Sequence, residues 1–245
     1  DAYARIVAGF GKVDVPRWWA NGFPASWASV PSWMTGYTAL CPDFGNDVAG
    51  VLAGTYDAAW RNLCETATVP VMASFCHEPG NKGCTVADWQ AAQVRLAAIK
   101  ADVGNPLVTF GPVLMGGDFH ADRYQNADGQ PADVWLDFDL TNIDWIGADC
   151  YQWPGDTAAS NIGPVIAAAQ SRGKRVLIAE TGALPLSKAT DQARADWYTG
   201  IGELIAANPG LFAAVLTFES DRGPENPPCC LLPTVDGTGN LSPLA

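Results

Sequence analysis

Two kinds of segment alternate along this chain: short apolar runs typical of buried strands, and longer helix-like runs. The predicted strands are Ala4–Phe10, Met34–Leu40, Val69–Cys76, Leu107–Leu114, Ile143–Cys150, Arg175–Ala179 and Ala213–Phe218. The predicted helices are Val48–Thr66, Val86–Val103, Ile162–Arg172 and Thr190–Ala207. Strands that alternate with helices predict βα units and therefore a parallel sheet.

Signals at the helix ends support this division. Thr85 with Asp88 three residues later resembles a capping box, so Thr85 should begin the helix Val86–Val103. Gly173 follows the helix Ile162–Arg172 as a C-terminal cap should.

The fold class follows from this alternation together with the size of the chain. With 245 residues, 48% hydrophobic and 16% charged, the chain can bury one large core, and a single α/β barrel is typically about this long. We predict a (β/α)8 TIM barrel as a single domain over 1–245, with 226–245 as an irregular tail. An eighth strand must be short, and either lies between Val13 and Trp33 or falls outside this sequence. A doubly wound sheet is the alternative, but no glycine-rich nucleotide loop follows the first strand.

Charge and composition exclude several functions. A net charge of -12 with only 14 Lys and Arg residues would repel nucleic acid and anionic membrane surfaces. No apolar run reaches the ~18 residues of a membrane span. The chain has two histidines and no His/Cys spacing of the metal-ligand type, so we expect no metal and no other cofactor. We also expect a monomer.

The number and position of the cysteines indicate the cellular compartment of the protein. Seven cysteines are many for a reducing cytoplasm and an odd number for full pairing. Cys76 and Cys150 are predicted to be buried thiols, Cys84 lies in a loop, and Cys229 and Cys230 lie in the proline-rich tail. We expect an extracellular protein, secreted or part of a virion or cell-surface assembly, with one or two disulfides. A chain that begins without Met fits a processed product or a domain of a longer chain.

Two of the apolar runs end abruptly in a glutamate. Glu78 follows the strand Val69–Cys76, and Glu180 follows Arg175–Ala179. A carboxylate beside a core is costly unless it is used or paired, and the chain has few basic residues with which to pair it. Active residues of a barrel lie where its strands end. We therefore predict that the two glutamates face each other across the barrel mouth, the arrangement of glycoside hydrolysis.

The two carboxyl groups need different roles in that reaction. One hands a proton to the leaving oxygen, and the other attacks the anomeric carbon in its ionised form. Glu78 is the candidate acid because it follows an apolar strand, and a buried carboxyl group holds its proton to higher pH. Glu180 is the candidate nucleophile. A separation of roughly 5–5.5 Å is expected for direct attack.

Further candidates lie near the strand ends. The Tyr151 hydroxyl could donate to Glu180, although an ordinary buried tyrosine is the alternative. Asp149 shares the alternation parity of Tyr151 and so should point to the same side. His77 and His120 are candidate sugar contacts, although a lone histidine is more often structural.

Tryptophans in predicted loops are candidate stacking surfaces. The chain has ten tryptophans, of which Trp18, Trp19, Trp27 and Trp153 fall in predicted loops. Clefts for sugars combine aromatic rings with carboxylates, because a pyranose has an apolar face and polar edges. The alternative is that these loops fold back onto the barrel.

Several motifs resemble a known family. His77–Pro79, Asp149–Tyr151 and Ala179–Gly182 look like the strand-four, strand-six and strand-seven signatures of clan A glycoside hydrolases. Together with Gly22–Trp27 and Leu52–Asp57, they most resemble the mannanase-type enzymes of glycoside hydrolase family 26 and their distant actinobacterial relatives. The resemblance extends over most of residues 7–221.

The resemblance implies a (β/α)8 barrel and a retaining mechanism, with Glu78 as acid/base and Glu180 as nucleophile. It also implies that His77 neighbours the site and that Tyr151 is the nucleophile's partner. Mannanases of the family usually carry an arginine shortly before His-Glu and a tryptophan-rich stretch after it. This chain has neither feature, so the substrate stays open.

The leading hypothesis is a retaining endo-β-glycosidase for a neutral polysaccharide of the mannan or xylan type. The alternative is a non-catalytic glycan-binding module on a degenerate barrel, as in a phage tail or cell-surface adhesin. A serine esterase is excluded because the sequence has no G-x-S-x-G elbow.

Overall fold

The computed structural model describes residues 15, 17–29, 38–123, 129–183 and 191–217. The predicted strand Ala4–Phe10, most of Met34–Leu40, and the tail with Cys229 and Cys230 lie outside these residues. The described strands are β1 Arg17–Ala20, β2 Cys41–Phe44, β3 Val71–Ala73, β4 Val108–Phe110, β5 Val113–Met115, β6 Trp145–Gln152, β7 Arg175–Ala183 and β8 Phe212–Thr217. The described α-helices are α1 Val48–Leu52, α2 Asp57–Thr66, α3 Val86–Val103, α4 Ala132–Trp135, α5 Ala158–Ser171 and α6 Asp191–Ala207.

The strands pair in parallel and in chain order. β1 pairs with β2, β3 with β4, and β5 through β8 form one four-stranded sheet. Single parallel bridges from Leu40 to Val71 and from Asp43 to Ser74 connect β2 to β3. Helices lie between β2 and β3, β3 and β4, β5 and β6, β6 and β7, and β7 and β8, and parallel strands joined by helical crossovers are the construction of a βα barrel. β4 and β5 follow each other directly.

Two apolar clusters show how the sheet curves. One is built from strand residues alone, and its buried members are Cys41, Val113, Trp145, Leu177, Ala179 and Leu216. Residues of β2 and β8 meet in this cluster because the sheet bends round toward itself. A second, larger cluster packs strands against helices and includes Trp60, Trp89, Trp135 and Trp197. These are the interior and the outer layer that the predicted barrel requires.

Proline and glycine account for two departures from the predicted elements. Pro112 has no backbone N–H to donate to a ladder, and the predicted strand Leu107–Leu114 is accordingly divided into β4 and β5. Gly54 adopts φ +78°, a conformation that suits glycine. It lies in the turn that divides the predicted helix Val48–Thr66 into α1 and α2.

Other predicted elements are confirmed. Helix α3 has the predicted bounds, and the Asp88 backbone N–H donates to Thr85 Oγ1 at 3.2 Å. The short strand β1 lies between Val13 and Trp33, where an eighth strand was expected. Within the described residues, no helix has both the length and the apolar character needed to cross a membrane. The single-domain organisation stays a prediction.

Candidate active site

A β-bulge in β7 places Glu180 beside Asp149. Ala148 pairs with Ile178, but Asp149 pairs with Glu180, so Ala179 is an extra residue in β7. A bulge re-aims the side chains that follow it and is common next to active sites. Here it brings a glutamate of one strand level with an aspartate of the next.

Tyr151 contacts Glu180 as the sequence analysis proposed. Its hydroxyl donates to Glu180 Oε2 at 2.5 Å, from a position two residues after Asp149 on β6. This contact fixes the orientation of the Glu180 carboxylate, as the proposed nucleophile role requires.

Arg17 on β1 is a site residue that the sequence analysis missed. Its Nη1 lies 3.3 Å from Asp149 Oδ1 and its Nη2 lies 3.7 Å from Glu180 Oε1. Burial opposes the charge of the guanidinium, yet Asp149, Cys41 and Glu180 together hold the pKa of Arg17 above its ordinary value. The only signal in the sequence was a basic residue in a short run where the eighth strand was expected.

The pKa of Asp149 is affected by both glutamates. Burial raises the pKa of the Asp149 carboxyl, Arg17 opposes this, and the carboxylates of Glu180 and Glu78 reinforce it. Glu78 and Glu180 therefore both act on Asp149, on one side of the molecule.

His77 is held at the same site by a second buried acid. Its Nδ1 lies 2.9 Å from Asp43 Oδ2, and Ser74 Oγ donates to Asp43 Oδ1 at 2.7 Å. This contact with Asp43 orients the imidazole ring. One potential ligand atom from each of His77, Asp149 and Glu180 lies within 4.8 Å of the others.

These three side chains are of the type that can hold a metal ion. However, the Arg17 guanidinium already contacts Asp149 and Glu180, and a bound cation would be repelled by it. Arg17 thus supplies the positive charge that a metal would bring.

Glu78 lies on an irregular segment and not on a strand. β3 ends at Ala73, and Cys76 and Glu78 both have φ +51°. Such positive φ values at non-glycine residues cost on the order of 1–3 kcal/mol each and cluster at functional sites. The predicted strand Val69–Cys76 is therefore too long.

Helix α3 and strand β5 hold this irregular segment in place. Trp89 Nε1 donates to the Cys76 carbonyl at 3.1 Å, and Gln93 Nε2 donates to the Phe75 carbonyl at 2.9 Å. The Glu78 backbone N–H donates to the Val113 carbonyl at 2.9 Å. At the side chain, Asn81 Nδ2 donates to Glu78 Oε2 at 3.3 Å.

Two of the four candidate tryptophans lie at this site. Trp19 is 42% exposed; its ring lies 5.3 Å from the Arg17 guanidinium carbon and 6.5 Å from the His77 ring. Trp153 is 37% exposed and lines a cavity with Asp149 and Tyr151. Both present aromatic surface to solvent beside the carboxyl groups.

The other two tryptophans lie elsewhere, which corrects the prediction for Trp27. Trp27 packs beside Leu40 and Val69, and its Nε1 donates to the Leu63 carbonyl at 2.8 Å. Those contacts lie at the amino-terminal ends of β2 and β3, opposite the end that carries Glu180. Trp18 packs edge-on against Phe44. Trp27 thus packs back onto the barrel, which was the alternative, whereas Trp18 lies on strand β1 and not in a loop.

His120 is not brought to the carboxyl groups. Its Nε2 lies 3.1 Å from the Asn161 carbonyl oxygen, and it lines a separate surface groove of about 480 Å³ with Phe119 and Arg172. The contact ties the segment after β5 to helix α5.

Cys76 and Cys84 meet across the segment that carries Glu78. Their sulfur atoms lie 3.3 Å apart, although the residues are eight positions apart in sequence. Cys76 is buried and Cys84 is half-buried. The hydrogen bond to Cys84, followed by burial, raises the pKa of the Cys76 thiol, so attack on an oxidant should begin at Cys84.

Treatment with oxidised glutathione should join Cys76 to Cys84. Closing so short a loop stabilises a protein by about 2–3 kcal/mol in the chain-entropy picture, so melting temperature should rise on oxidation. Thiol titration under denaturing conditions should count two fewer thiols after oxidation, and peptide mapping should find the bridge. Cys84→Ser should show neither effect. An unchanged thiol count in the parent protein would contradict the pairing.

Comparisons with known proteins agree with this architecture. No protein-family model matches the chain, and a search of curated proteins found no match. Among solved structures, the mannanase Man26 of Bacillus subtilis is similar, with TM-score 0.54 and 11% identity over 89% of this chain and 74% of its own. XacCel5A in complex with cellopentaose is similar with TM-score 0.53 and 13% identity, over 74% of this chain and 63% of its own.

These similar structures are (β/α)8 barrels. The chain has the (β/α)8 barrel fold. It spans 48% of GH26C from Muricauda sp. and 61% of the catalytic domain of the Bacillus sp. JAMB-750 endo-β-1,4-mannanase. At 11–17% identity the likeness establishes architecture, and the activity has to be argued from the site.

Proposed function

We propose that this protein is a retaining endo-β-glycosidase that hydrolyses a neutral β-linked polysaccharide. The observation that carries the proposal is geometric, because Tyr151 and Arg17 both contact Glu180, which lies beside Asp149. Asn81 contacts both Glu78 and Met115, and Met115 pairs with Asp149, so Glu78 lies near the same group. A pair of carboxylates in which one is held ionised is the machinery of this reaction.

In the first step, Glu180 attacks the anomeric carbon while Glu78 gives its proton to the leaving glycosidic oxygen. The Tyr151 hydroxyl and the Arg17 guanidinium hold the Glu180 carboxylate in position before the attack. In the second step, Glu78 takes a proton from water, which attacks the same carbon and releases Glu180. Asn81 holds Glu78 through Nδ2. The expected separation of roughly 5–5.5 Å between the carboxyl groups stays a prediction.

Charge and aromatic surface support a neutral substrate. The net charge of -12 disfavours binding of polyanionic chains. The exposed rings of Trp19, near His77, and Trp153, near Asp149 and Tyr151, offer stacking faces. Two of the similar structures are, by their names, a mannanase and a protein bound to cellopentaose. Polymers of this kind lie outside cells, so we also propose an extracellular location. We further propose that the enzyme is a monomer.

A polysaccharide panel tests the proposal. We expect the purified chain to release oligosaccharides from mannan, xylan, mixed-linkage glucan or an actinobacterial cell-wall glycan, with retained anomeric configuration by NMR. Monosaccharide as the sole early product, or activity confined to a uronic-acid polymer, would contradict it. Binding without hydrolysis, with both glutamates intact, would favour the non-catalytic glycan-binding module.

A further inference from the structure

A cavity of about 200 Å³ lies beside the contact between Tyr151 and Glu180. Its lining residues are Met115, Gly116, Gly117, Asp149, Tyr151, Trp153 and Asn161. It is smaller than the ~300–1,000 Å³ of typical ligand pockets, so it suits one sugar ring and not a stretch of polymer. The lining combines a tryptophan, a thioether and two glycines with a carboxyl group and an amide.

Asn161 has an unused acceptor whose direction is set by its donors. Its Nδ2 donates to the Tyr151 carbonyl at 3.2 Å and to Asp156 Oδ2 at 3.0 Å. The amide nitrogen therefore faces those two oxygens, and Oδ1 faces away from them. Asn161 is only 3% exposed, and its Oδ1 has no hydrogen-bond partner in the described part of the chain. Such a buried acceptor is costly unless a ligand or water satisfies it.

Asp149 contributes a second unused acceptor to the same cavity. Its Oδ1 is bonded to Arg17, while its Oδ2 is buried and has no hydrogen-bond partner within the described residues. Two buried acceptors on one small cavity, both on rigid elements, match a ligand that presents two hydroxyl groups.

The Asn161 side of the cavity is held rigidly. Arg123 Nη1 contacts both carboxylate oxygens of Asp156 at 2.8 and 2.7 Å, and Asp156 in turn accepts from Asn161. His120 contacts the Asn161 carbonyl oxygen. Asn161 is thus placed before any ligand arrives, which lowers the ordering cost of binding.

We propose that this cavity is a single-sugar subsite next to the nucleophile, in which Asn161 Oδ1 and Asp149 Oδ2 accept hydrogen bonds from two hydroxyl groups of one pyranose and Trp153 covers its apolar face. The inference rests on the proposed function and names the residues that recognise the sugar. Within the part of the chain that the structure describes, the lining contains no Lys or Arg, so a uronic acid, or a sugar whose hydroxyls are esterified, would be rejected. Asn161 is then a specificity-determining residue.

The test measures binding without turnover. Mannotriose, xylotriose and cellotriose are titrated into the Glu180→Gln protein by calorimetry. The trisaccharide that binds most tightly is then titrated into double variants that combine Glu180→Gln with Asn161→Ala, Trp153→Ala or Asn208→Ala. Asn208 is a matched control, since its Nδ2 donates to the Leu204 carbonyl on helix α6. We expect Asn161→Ala and Trp153→Ala each to weaken binding about tenfold, and Asn208→Ala to change nothing.

Monodeoxy derivatives of that trisaccharide separate recognition from a structural role. In the protein that retains Asn161, one monodeoxy derivative should bind about tenfold more weakly than the unmodified trisaccharide. In the Asn161→Ala protein, that derivative and the unmodified trisaccharide should bind equally well, because the hydrogen bond to Asn161 has already been lost. If Asn161→Ala does not fold, Trp153→Ala carries the test, because that side chain is exposed.

Three results would overturn the subsite: none of the trisaccharides binds, Asn161→Ala and Trp153→Ala both bind like the parent, or no monodeoxy sugar is coupled to Asn161. Coupling without any hydrolysis by the wild-type protein would instead overturn the proposed function and leave the subsite standing. Hydrolysis by the wild-type protein, with no monodeoxy sugar coupled to Asn161, would overturn the subsite and leave the proposed function standing.

Discussion

Replacing Glu180 by glutamine should abolish hydrolysis and leave the protein folded. The glutamine amide cannot form the glycosyl-enzyme intermediate, and the other acids near it, Asp149 and Asp43, are already engaged with Arg17 and His77. We expect kcat/KM to fall by at least about 10⁴-fold, the scale seen when a nucleophile is removed. Melting temperature should change little, because Arg17 keeps its contact with Asp149.

The matched control is Glu203→Gln, which alters an exposed glutamate on helix α6 and should leave kcat/KM unchanged. A 2-fluoro glycoside should label the wild-type protein on the peptide that contains Glu180, as shown by mass spectrometry. Wild-type activity in a folded Glu180→Gln protein, or a label on another residue, would remove Glu180 from the nucleophile role.

Replacing Glu78 by alanine should slow hydrolysis in a way that depends on the leaving group. Substrates with poor leaving groups need a proton from Glu78 and should lose about 10²–10⁴-fold in rate, whereas activated aryl glycosides form the intermediate with little protonation. Steady-state rates on a series of aryl glycosides measure this difference. Added azide should restore part of the rate, because it attacks the intermediate without needing a general base.

Two further variants serve as comparisons for Glu78→Ala. Glu65→Ala removes an exposed glutamate on helix α2 and should have no effect. Asn81→Ala removes one hydrogen bond to Glu78 and should cause a smaller loss with the same leaving-group trend. Equal loss on all leaving groups in Glu78→Ala, with no azide response, would rule out the acid/base role.

Local sequence patterns predicted much of the barrel correctly. Helix α3 with its Thr85 cap, the strand that carries Tyr151 and the strand that carries Glu180 could be identified because each is a short-range pattern of apolar residues and turn signals. The bulge at Ala179 could not, since it depends on how β7 aligns with β6. The left-handed conformations at Cys76 and Glu78 were also invisible, because side chains of helix α3 hold that segment in place.

The sequence by itself determined the alternation of strands and helices, which depends on neighbouring residues in the chain, and the acidic charge, which depends on composition alone. It predicted both glutamates at strand ends, but Glu180 lies within β7 and Glu78 lies beyond β3 on an irregular segment. Only the tertiary structure decided which side chains meet. Arg17 contacts Asp149 across 132 positions, Asp43 holds His77 across 34, and Trp27 turns into the core away from the site. The physical reason is that a buried charge is tolerated only beside its partner, and the closing of the barrel, not local pattern, chooses that partner.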